Sequence, residues 1–260
     1  MKHLKKRIKN GDTLIGCWLN LGNSITAEIT GLAGFDWVLI DLEHGSGTEN
    51  DLLYQLQALQ HTPAAPVVRI EGASRQRIHR VLDLGAEGVM VPRINNPEEA
   101  GIAALGLHYP PEGNRGVARM VRVTGFGQDF GEYLSNSRDE VVGIIQVETV
   151  EVLEHLDEIA ALNGIDVLFI GPSDLSMALG KFGSFDHPLY IDAVKMTVNV
   201  AQKRNKAAGI LLPGPEDFRT YHEMGVRLFA GGSDATFVAD GAKSMYHKLD
   251  SLRSVNNKQP

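Results

Sequence analysis

Cysteine occurs once in this chain, at Cys17, so no intrachain disulfide and no CxxC metal knuckle is available. A reducing cytoplasm is the expected setting. No window approaches the roughly 18 apolar residues of a membrane-crossing helix, and no membrane partner is expected. Positive charge is scarce: 25 Lys and Arg face 32 Asp and Glu, a formal net charge of -7. A nucleic-acid binder needs a basic face, and past the opening Lys2 to Lys9 segment there is no Lys/Arg run to build one. That opening segment has no apolar stretch behind it, so it reads as a short amphipathic helix with a solvated cationic face and not as a signal peptide. Lysine is missing altogether between Lys9 and Lys181, and Lys195, Lys203 and Lys206 fall on or just past a predicted helix. A Schiff-base aldolase needs an inward-facing lysine on a strand, so imine chemistry is excluded.

What the chain does have is alternation. Short Val/Ile/Leu runs at 14–19, 37–40, 66–70, 88–91, 141–147, 167–170, 209–212 and 227–230 read as strands buried on both faces, hence a parallel sheet. Helical stretches lie between them at 27–33, 50–59, 75–84, 97–107, 150–162, 191–205 and 235–252. Ser74 and the Asn96-Pro97 pair mark helix starts, while Gly85, Gly164 and Gly225 sit at C-cap positions. Eight strand–helix units predict a single (β/α)8 barrel over residues 1–260; no GxGxxG follows the first strand to favour a doubly wound sheet. The stretch 109–127, with two prolines and four glycines, is expected to be a lid or an interface element. The tail after Ser251 is expected to fray.

Barrel chemistry sits at the carboxyl ends of the strands. There the sequence places Asp41-Leu-Glu43-His44-Gly45, then Arg69, then Gln146-Val-Glu148, then Gly171-Pro172-Ser173-Asp174. Glu148 and Asp174 leave adjacent strands, where two carboxylates either share a proton or hold a hard divalent cation. The Gly171 to Asp174 turn is either a plain N-cap or a seat for a carboxylate or phosphate. Gly231-Gly232-Ser233-Asp234 reads as a plain N-cap. Of the nine histidines, His44 alone follows a strand end and reads as a general base; His61, His79, His108, His155, His187, His222 and His247 read as solvent-exposed. Asp83, among apolar residues near a helix end, is either a surface acid or the group that orients a histidine.

Taken in order, Gly16-Cys17-Trp18, Asp41 to Gly45, Pro66 to Arg69, Leu82 to Ala86, Tyr109 to Gly116, Gln146 to Thr149 and Gly171 to Leu175 resemble the HpcH/HpaI family of class II pyruvate aldolases. The resemblance covers roughly residues 4–250. It implies a barrel of the phosphoenolpyruvate/pyruvate-binding type that cleaves a 4-hydroxy-2-oxo acid to pyruvate and an aldehyde. Glu148 and Asp174 would be ligands of Mg²⁺ or Mn²⁺, with Co²⁺ as a further candidate. Pyruvate would lie against that ion, with its carboxylate on the Ser173 and Asp174 backbone and Gln146 beside it. Arg69 would hold the keto oxygen, His44 would act as base with its basicity raised by Asp83, and Trp18 and Leu212 would line the pocket. The resemblance further implies a trimer of dimers with the last helix swapped between subunits. Arg93 stands where many relatives of this kind have an apolar residue, and Arg119 and Arg122 crowd the 109–127 stretch; the three either bind the distal end of an acidic substrate or pair between subunits. Competing readings are an oxaloacetate-type decarboxylase or citramalyl-type lyase, which share the pyruvate enolate, and, outside enzymes, an inactive barrel serving as an assembly protein.

Overall fold

The computed structural model describes residues 2–256. Eight parallel strands close into a barrel in chain order: β1 (Leu14–Leu19), β2 (Trp37–Asp41), β3 (Ala65–Arg69), β4 (Gly88–Val91), β5 (Val142–Val147), β6 (Val167–Ile170), β7 (Ala207–Leu211) and β8 (Leu228–Ser233). The (β/α)8 fold expected from the alternation is therefore present. Around it run α1 (Leu4–Lys9), α2 (Ser24–Leu32), α3 (Glu49–Ala58), α4 (Arg75–Asp83), α5 (Pro97–Leu107), α6 (Phe130–Glu140), α7 (Val150–Glu154), α8 (Leu156–Ala161), α9 (Pro172–Ala178), α10 (Pro188–Lys203), α11 (Phe218–Met224) and α12 (Asp234–Asn256). No helix among the described residues is long and apolar enough to cross a membrane.

The two-residue period of each strand divides the core. Trp37 and Leu39 of β2, Ala65 and Val67 of β3, Val142 and Ile144 of β5, and Val167 and Phe169 of β6 pack inside the barrel with Trp18. Val38, Ile40, Val68, Ile145, Leu168 and Ile170 pack outward under the helices. The interior mixes large with absent side chains. A Cβ at Gly16 would run into the Trp37 ring, and one at Gly209 into the Phe169 ring. Trp37 is fully buried, donates its indole N–H to the Phe229 carbonyl at 3.1 Å, and meets Trp18 and Phe169 ring against ring.

Helix starts follow the expected chemistry. Ser74 accepts from the Arg77 N–H, and Asn96 accepts from Glu99 N–H with Pro97 in the first turn. Two expectations change. The opening helix is amphipathic, with Leu4 and Ile8 buried, but its cationic face is not wholly solvated: Lys5 is buried too, and its ammonium meets Asp166 at 3.0 Å and the Val141 carbonyl at 2.8 Å, so α1 plugs the amino-terminal end of the barrel. The fraying expected after Ser251 also fails at first, since α12 continues to Asn256; residues 257–260 lie outside the described residues.

Candidate active site

The inward period of the strands carries past the apolar interior and becomes polar at the carboxyl end. Trp37 and Leu39 lead to Asp41, Ala65 and Val67 to Arg69, and Val142 and Ile144 to Gln146 and then Glu148. The register sets Asp41 directly opposite Arg69. Their side chains form a buried fork: Nε of Arg69 donates to Oδ1 of Asp41 at 2.9 Å and Nη2 to Oδ2 at 2.7 Å. Nη1 reaches Glu43 at 2.9 Å and the Gln146 Oε1 at 3.4 Å, and the guanidinium carbon lies 5.8 Å from the Trp18 ring centroid. Arg69 is thus fixed on three sides by groups that match its planar donors.

Gln146 links this fork to the acids. Its Nε2 donates to Oε2 of Glu148 at 3.0 Å, and the Arg93 backbone N–H donates to Oε1 at 2.6 Å. Arg93 takes a left-handed backbone, φ 52°, which turns that N–H toward the site. Gly171 holds the next inward position of β6. A Cβ there would lie 3.0 Å from the Glu148 Oε2 and 3.3 Å from the Gln146 Nε2, so the carboxylate occupies space that a side chain would fill. Asp174 and Ser173 are exposed in the first turn of α9.

The electrostatics are lopsided: Asp41, Glu43, Glu148 and Asp174 gather around the one Arg69 guanidinium. Burial chiefly holds the Glu148 carboxyl above the usual glutamate range, with the Arg93 N–H and the Arg69 charge opposing and the Asp174 and Glu43 charges adding to it. Burial chiefly raises Glu43 as well, with Asp41 and Asp174 adding to it and Arg69 and His44 opposing. Crowded hard oxygens of one sign fit a divalent cation, which would relieve the repulsion that now favours a proton. No set of three or more His, Cys, Asp or Glu side chains among the described residues forms a closed metal cage. Glu148 and Asp174 therefore fit an open site, where water and substrate complete the shell, better than a structural one.

The remaining expected site residues are placed unevenly. His44 stands at the rim with its side chain 70% exposed; its backbone N–H donates to Oδ1 of Asp41 at 3.3 Å. Its acidic neighbour is Glu43, whose Oε2 is 3.9 Å from Nε2. The expected partnership with Asp83 is not formed within the chain. Asp83 ends α4, which runs antiparallel to the strands and carries it to the opposite pole of the barrel, where it accepts from Nη2 of Arg115 at 2.8 Å. Arg115 is itself buried between the Tyr109 and Tyr133 rings and donates to the Tyr133 hydroxyl. Asp83 therefore anchors the 109–129 segment.

Trp18 lies beneath Arg69 and packs inward with Phe169, as a wall of the pocket floor. Leu212, one residue beyond β7, packs with the outer cluster, and Leu211 is the neighbour that turns inward. The 109–127 segment is not a lid over this chain's own site: Arg122 donates to the Leu84 and Leu56 carbonyls, and Arg119 lies over Phe130. Among the histidines, His108 is buried and not solvent-exposed; a Cβ on Gly164 would come within 2.7 Å of its Nε2, so it packs on a residue without a side chain.

Asp41 and Glu43 have no role in the sequence reading, although they fix Arg69. The signal for Asp41 was present in the alternation Trp37, Leu39, Asp41, which points its carboxylate to the same interior as Arg69. Asn20 continues β1 in the same manner and donates to Oδ2 of Asp41 at 2.9 Å.

Residues 14–241 match the HpcH/HpaI aldolase/citrate lyase family. The chain is 40% identical over 220 residues to the 5-keto-4-deoxy-D-glucarate aldolase of Escherichia coli (strain K12), covering 85% of this chain and 86% of that protein. Among solved structures, it superposes on an HpcH/HpaI aldolase/citrate lyase family protein from Burkholderia cenocepacia J2315 with a TM-score of 0.90 at 33% identity, over 96% of this chain and 100% of that one. An HpcH/HpaI aldolase from Desulfitobacterium hafniense DCB-2 gives a TM-score of 0.85 at 28% identity, over 93% and 96% of the two chains. With the match running through every strand that contributes to the site, the chain belongs to the HpcH/HpaI aldolase/citrate lyase family.

Proposed function

We propose that this protein is a class II aldolase that reversibly cleaves a 4-hydroxy-2-oxo acid, of the 2-keto-3-deoxy sugar acid or hydroxy-keto diacid class, into pyruvate and an aldehyde. The observation that carries the proposal is the pairing of a rigidly held Arg69 with two crowded acids, Glu148 and Asp174, at the carboxyl end of a barrel in this family. Glu148 and Asp174 would hold Mg²⁺ or Mn²⁺, with Co²⁺ as a possible substitute. When bound, that ion supplies Lewis-acid polarisation of the 2-oxo group.

The chain's own groups do the rest. Ser173 and Asp174 lie in the first turn of α9, where backbone N–H groups have no helical acceptor and suit the substrate carboxylate. Gln146 packs beside it and keeps Glu148 oriented. His44 takes the proton of the 4-hydroxyl on a ring nitrogen; the freed O–H pair forms the aldehyde C=O, the C3–C4 pair becomes the C2=C3 bond, and the C2=O π pair moves onto the 2-oxo oxygen as the aldehyde leaves. The enolate charge develops against the Arg69 guanidinium, which Asp41 and Glu43 hold in place in advance, so no reorganisation is needed at that moment. Return of a proton to C3 completes pyruvate. Glu43, with Oε2 3.9 Å from Nε2, is the carboxylate that lies beside the imidazole.

Assembly into a homo-oligomer, a trimer of dimers with the last helix exchanged, is part of this proposal. It is supported by α12, which exposes Phe237, Val238, Met245, Tyr246, Leu249 and Leu252, and by α2, which exposes Ile25, Ile29 and Leu32. Both are apolar faces that a lone chain leaves wet. Cytoplasmic residence is proposed with it, on the single buried cysteine.

The test is pyruvate release from a panel of 4-hydroxy-2-oxo acids, coupled to lactate dehydrogenase, with and without EDTA. Cleavage should need the added ion and vanish in Glu148→Gln and Asp174→Asn with the fold retained. Pyruvate release that persists in EDTA would refute the class II reading, while release from oxaloacetate or citramalyl thioesters alone would transfer the site to the decarboxylase or lyase reaction.

A further inference from the structure

We infer that Arg93 selects the aldehyde half of the substrate, pairing its guanidinium with a carboxylate at the end remote from pyruvate. This rests on the aldolase reading and narrows it to substrates that carry a second negative charge. The sequence leaves three arginines, Arg93, Arg119 and Arg122, between substrate binding and subunit pairing, and the structure separates them. Arg122 is spent on the Leu84 and Leu56 carbonyls, and Arg119 on the Phe130 ring, both on the segment tied to the far pole by Arg115 and Asp83. Arg93 alone of the three is at the carboxyl end of a strand, two residues past β4.

Its place there is close to the chemistry. The Arg93 N–H touches the Glu148 carboxylate at 2.6 Å, so its side chain springs from the wall of the ion site. The backbone pays for that contact with a left-handed φ of 52°. Any residue but proline would supply the N–H, and glycine or asparagine would adopt the conformation more easily. An arginine in that conformation points to a use for the side chain. The side chain is exposed, and no carboxylate pairs with it among the described residues, whereas Arg77, Arg80, Arg138 and Arg204 are all paired on the surface.

Charge balance supplies the need. The first guanidinium of the site, Arg69, is committed to Asp41 and Glu43, and Glu148 and Asp174 add two more negative charges. A dianionic hydroxy-oxo acid brings its distal carboxylate into that field, and a guanidinium carried by the residue whose N–H meets Glu148 would offset it. A planar, permanently charged fork matches a carboxylate in two hydrogen bonds.

The experiment compares two 4-hydroxy-2-oxo acids, one ending in a carboxylate and one in a methyl group, on the full chain with saturating Mn²⁺. In Arg93→Gln the ratio of kcat/KM for the dianion over the monoanion should fall about 10- to 100-fold, as loss of a charge-assisted hydrogen bond implies, and mainly through KM. Arg93→Lys should recover part of the ratio. Arg93→Asn, which accepts the left-handed backbone readily, should behave as Arg93→Gln and so separates charge from backbone strain. An unchanged ratio, or an equal fall for both substrates, overturns the inference. A binding arm is independent of turnover: thermal stabilisation by 2-oxoglutarate should drop in Arg93→Gln while that by 2-oxobutanoate does not. Loss of that discrimination supports the inference even if neither hydroxy-oxo acid is cleaved, in which case only the aldolase reading fails; discrimination kept intact overturns it.

Discussion

Asp41→Asn tests the residue on which the site geometry depends. The Asp41 carboxylate is buried and accepts five hydrogen bonds: Arg69 Nε at 2.9 Å, Glu43 N–H at 3.1 Å and His44 N–H at 3.3 Å on Oδ1, Arg69 Nη2 at 2.7 Å and Asn20 Nδ2 at 2.9 Å on Oδ2. Asparagine keeps one oxygen. Whichever way its amide turns, the NH₂ group faces donors, and Arg69 is left buried with its charge half-compensated. Removing one partner of a buried ion pair costs about 3–5 kcal/mol, because the remaining charge stays out of water. Glu43 still contacts Nη1, so the lower end of that range is expected here. Urea unfolding should show the midpoint falling with an unchanged slope. Assayed where the variant remains folded, kcat/KM should drop about 100-fold, the scale expected when a group touching the substrate is misplaced by an ångström. Stability within 1 kcal/mol of the parent, together with activity within a few-fold, would show that Arg69 is held by something other than Asp41.

Arg69→Lys retains the charge but offers one ammonium to three acceptors, Asp41, Glu43 and Gln146; steady-state kinetics should show kcat lower by about 10²-fold or more, and near-parental kcat would make the fork irrelevant to the reaction. The raised Glu148 carboxyl gives a signed pH effect in ion-free protein. A folded carboxyl with elevated proton affinity contributes stability that is complete below the ordinary glutamate range and is lost as pH climbs through its raised value. In EDTA, Glu148→Gln should therefore match the parent near pH 4 and exceed its Tm increasingly towards pH 8; a pH-independent gap between the two melting curves contradicts this. Cys17 is buried, and burial together with Asp234 pushes its thiol up to about 12. The folded protein should give no thiol titre with Ellman's reagent at neutral pH and a full titre once unfolded; rapid labelling of native protein would place Cys17 elsewhere.

The barrel was legible because its signal is repetitive. Each strand is a short branched-aliphatic run, and each is separated from the next by a helix-length segment, so an error of one or two residues at an edge leaves the topology unchanged. Strand β1 and strand β6 begin and end where the hydrophobic runs do. Helix α6 was not legible: Phe130–Glu140 contains Gly131, Ser135, Asn136 and Ser137, residues whose intrinsic preference is against a helix, and it is held by packing of Tyr133 against Arg115. The break that divides Val150–Glu154 from Leu156–Ala161 at His155 was equally silent, because nothing in that stretch forbids a continuous helix.

The site divides along a different line. Residues whose position follows from strand period and register, Arg69, Gln146 and Glu148, meet at the carboxyl end as the alternation implies, since a polar side chain there on a buried strand has few places to go. The partnership assigned to Asp83 does not form within the chain because its position follows from helix direction. A residue at the end of α4 is carried away from the carboxyl-terminal rim by the same antiparallel return that lets the next strand run parallel. Two acids within the single segment Asp41 to His44 were instead sufficient: Asp41 fixes the guanidinium and the backbone of the His44 loop, while Glu43 bridges the guanidinium and the imidazole. The alternation that buries Leu39 beneath Asp41 aims that carboxylate at Arg69 across one register pair. Read as part of the strand and not as the start of the following loop, Asp41 is where a search for the anchor of Arg69 begins.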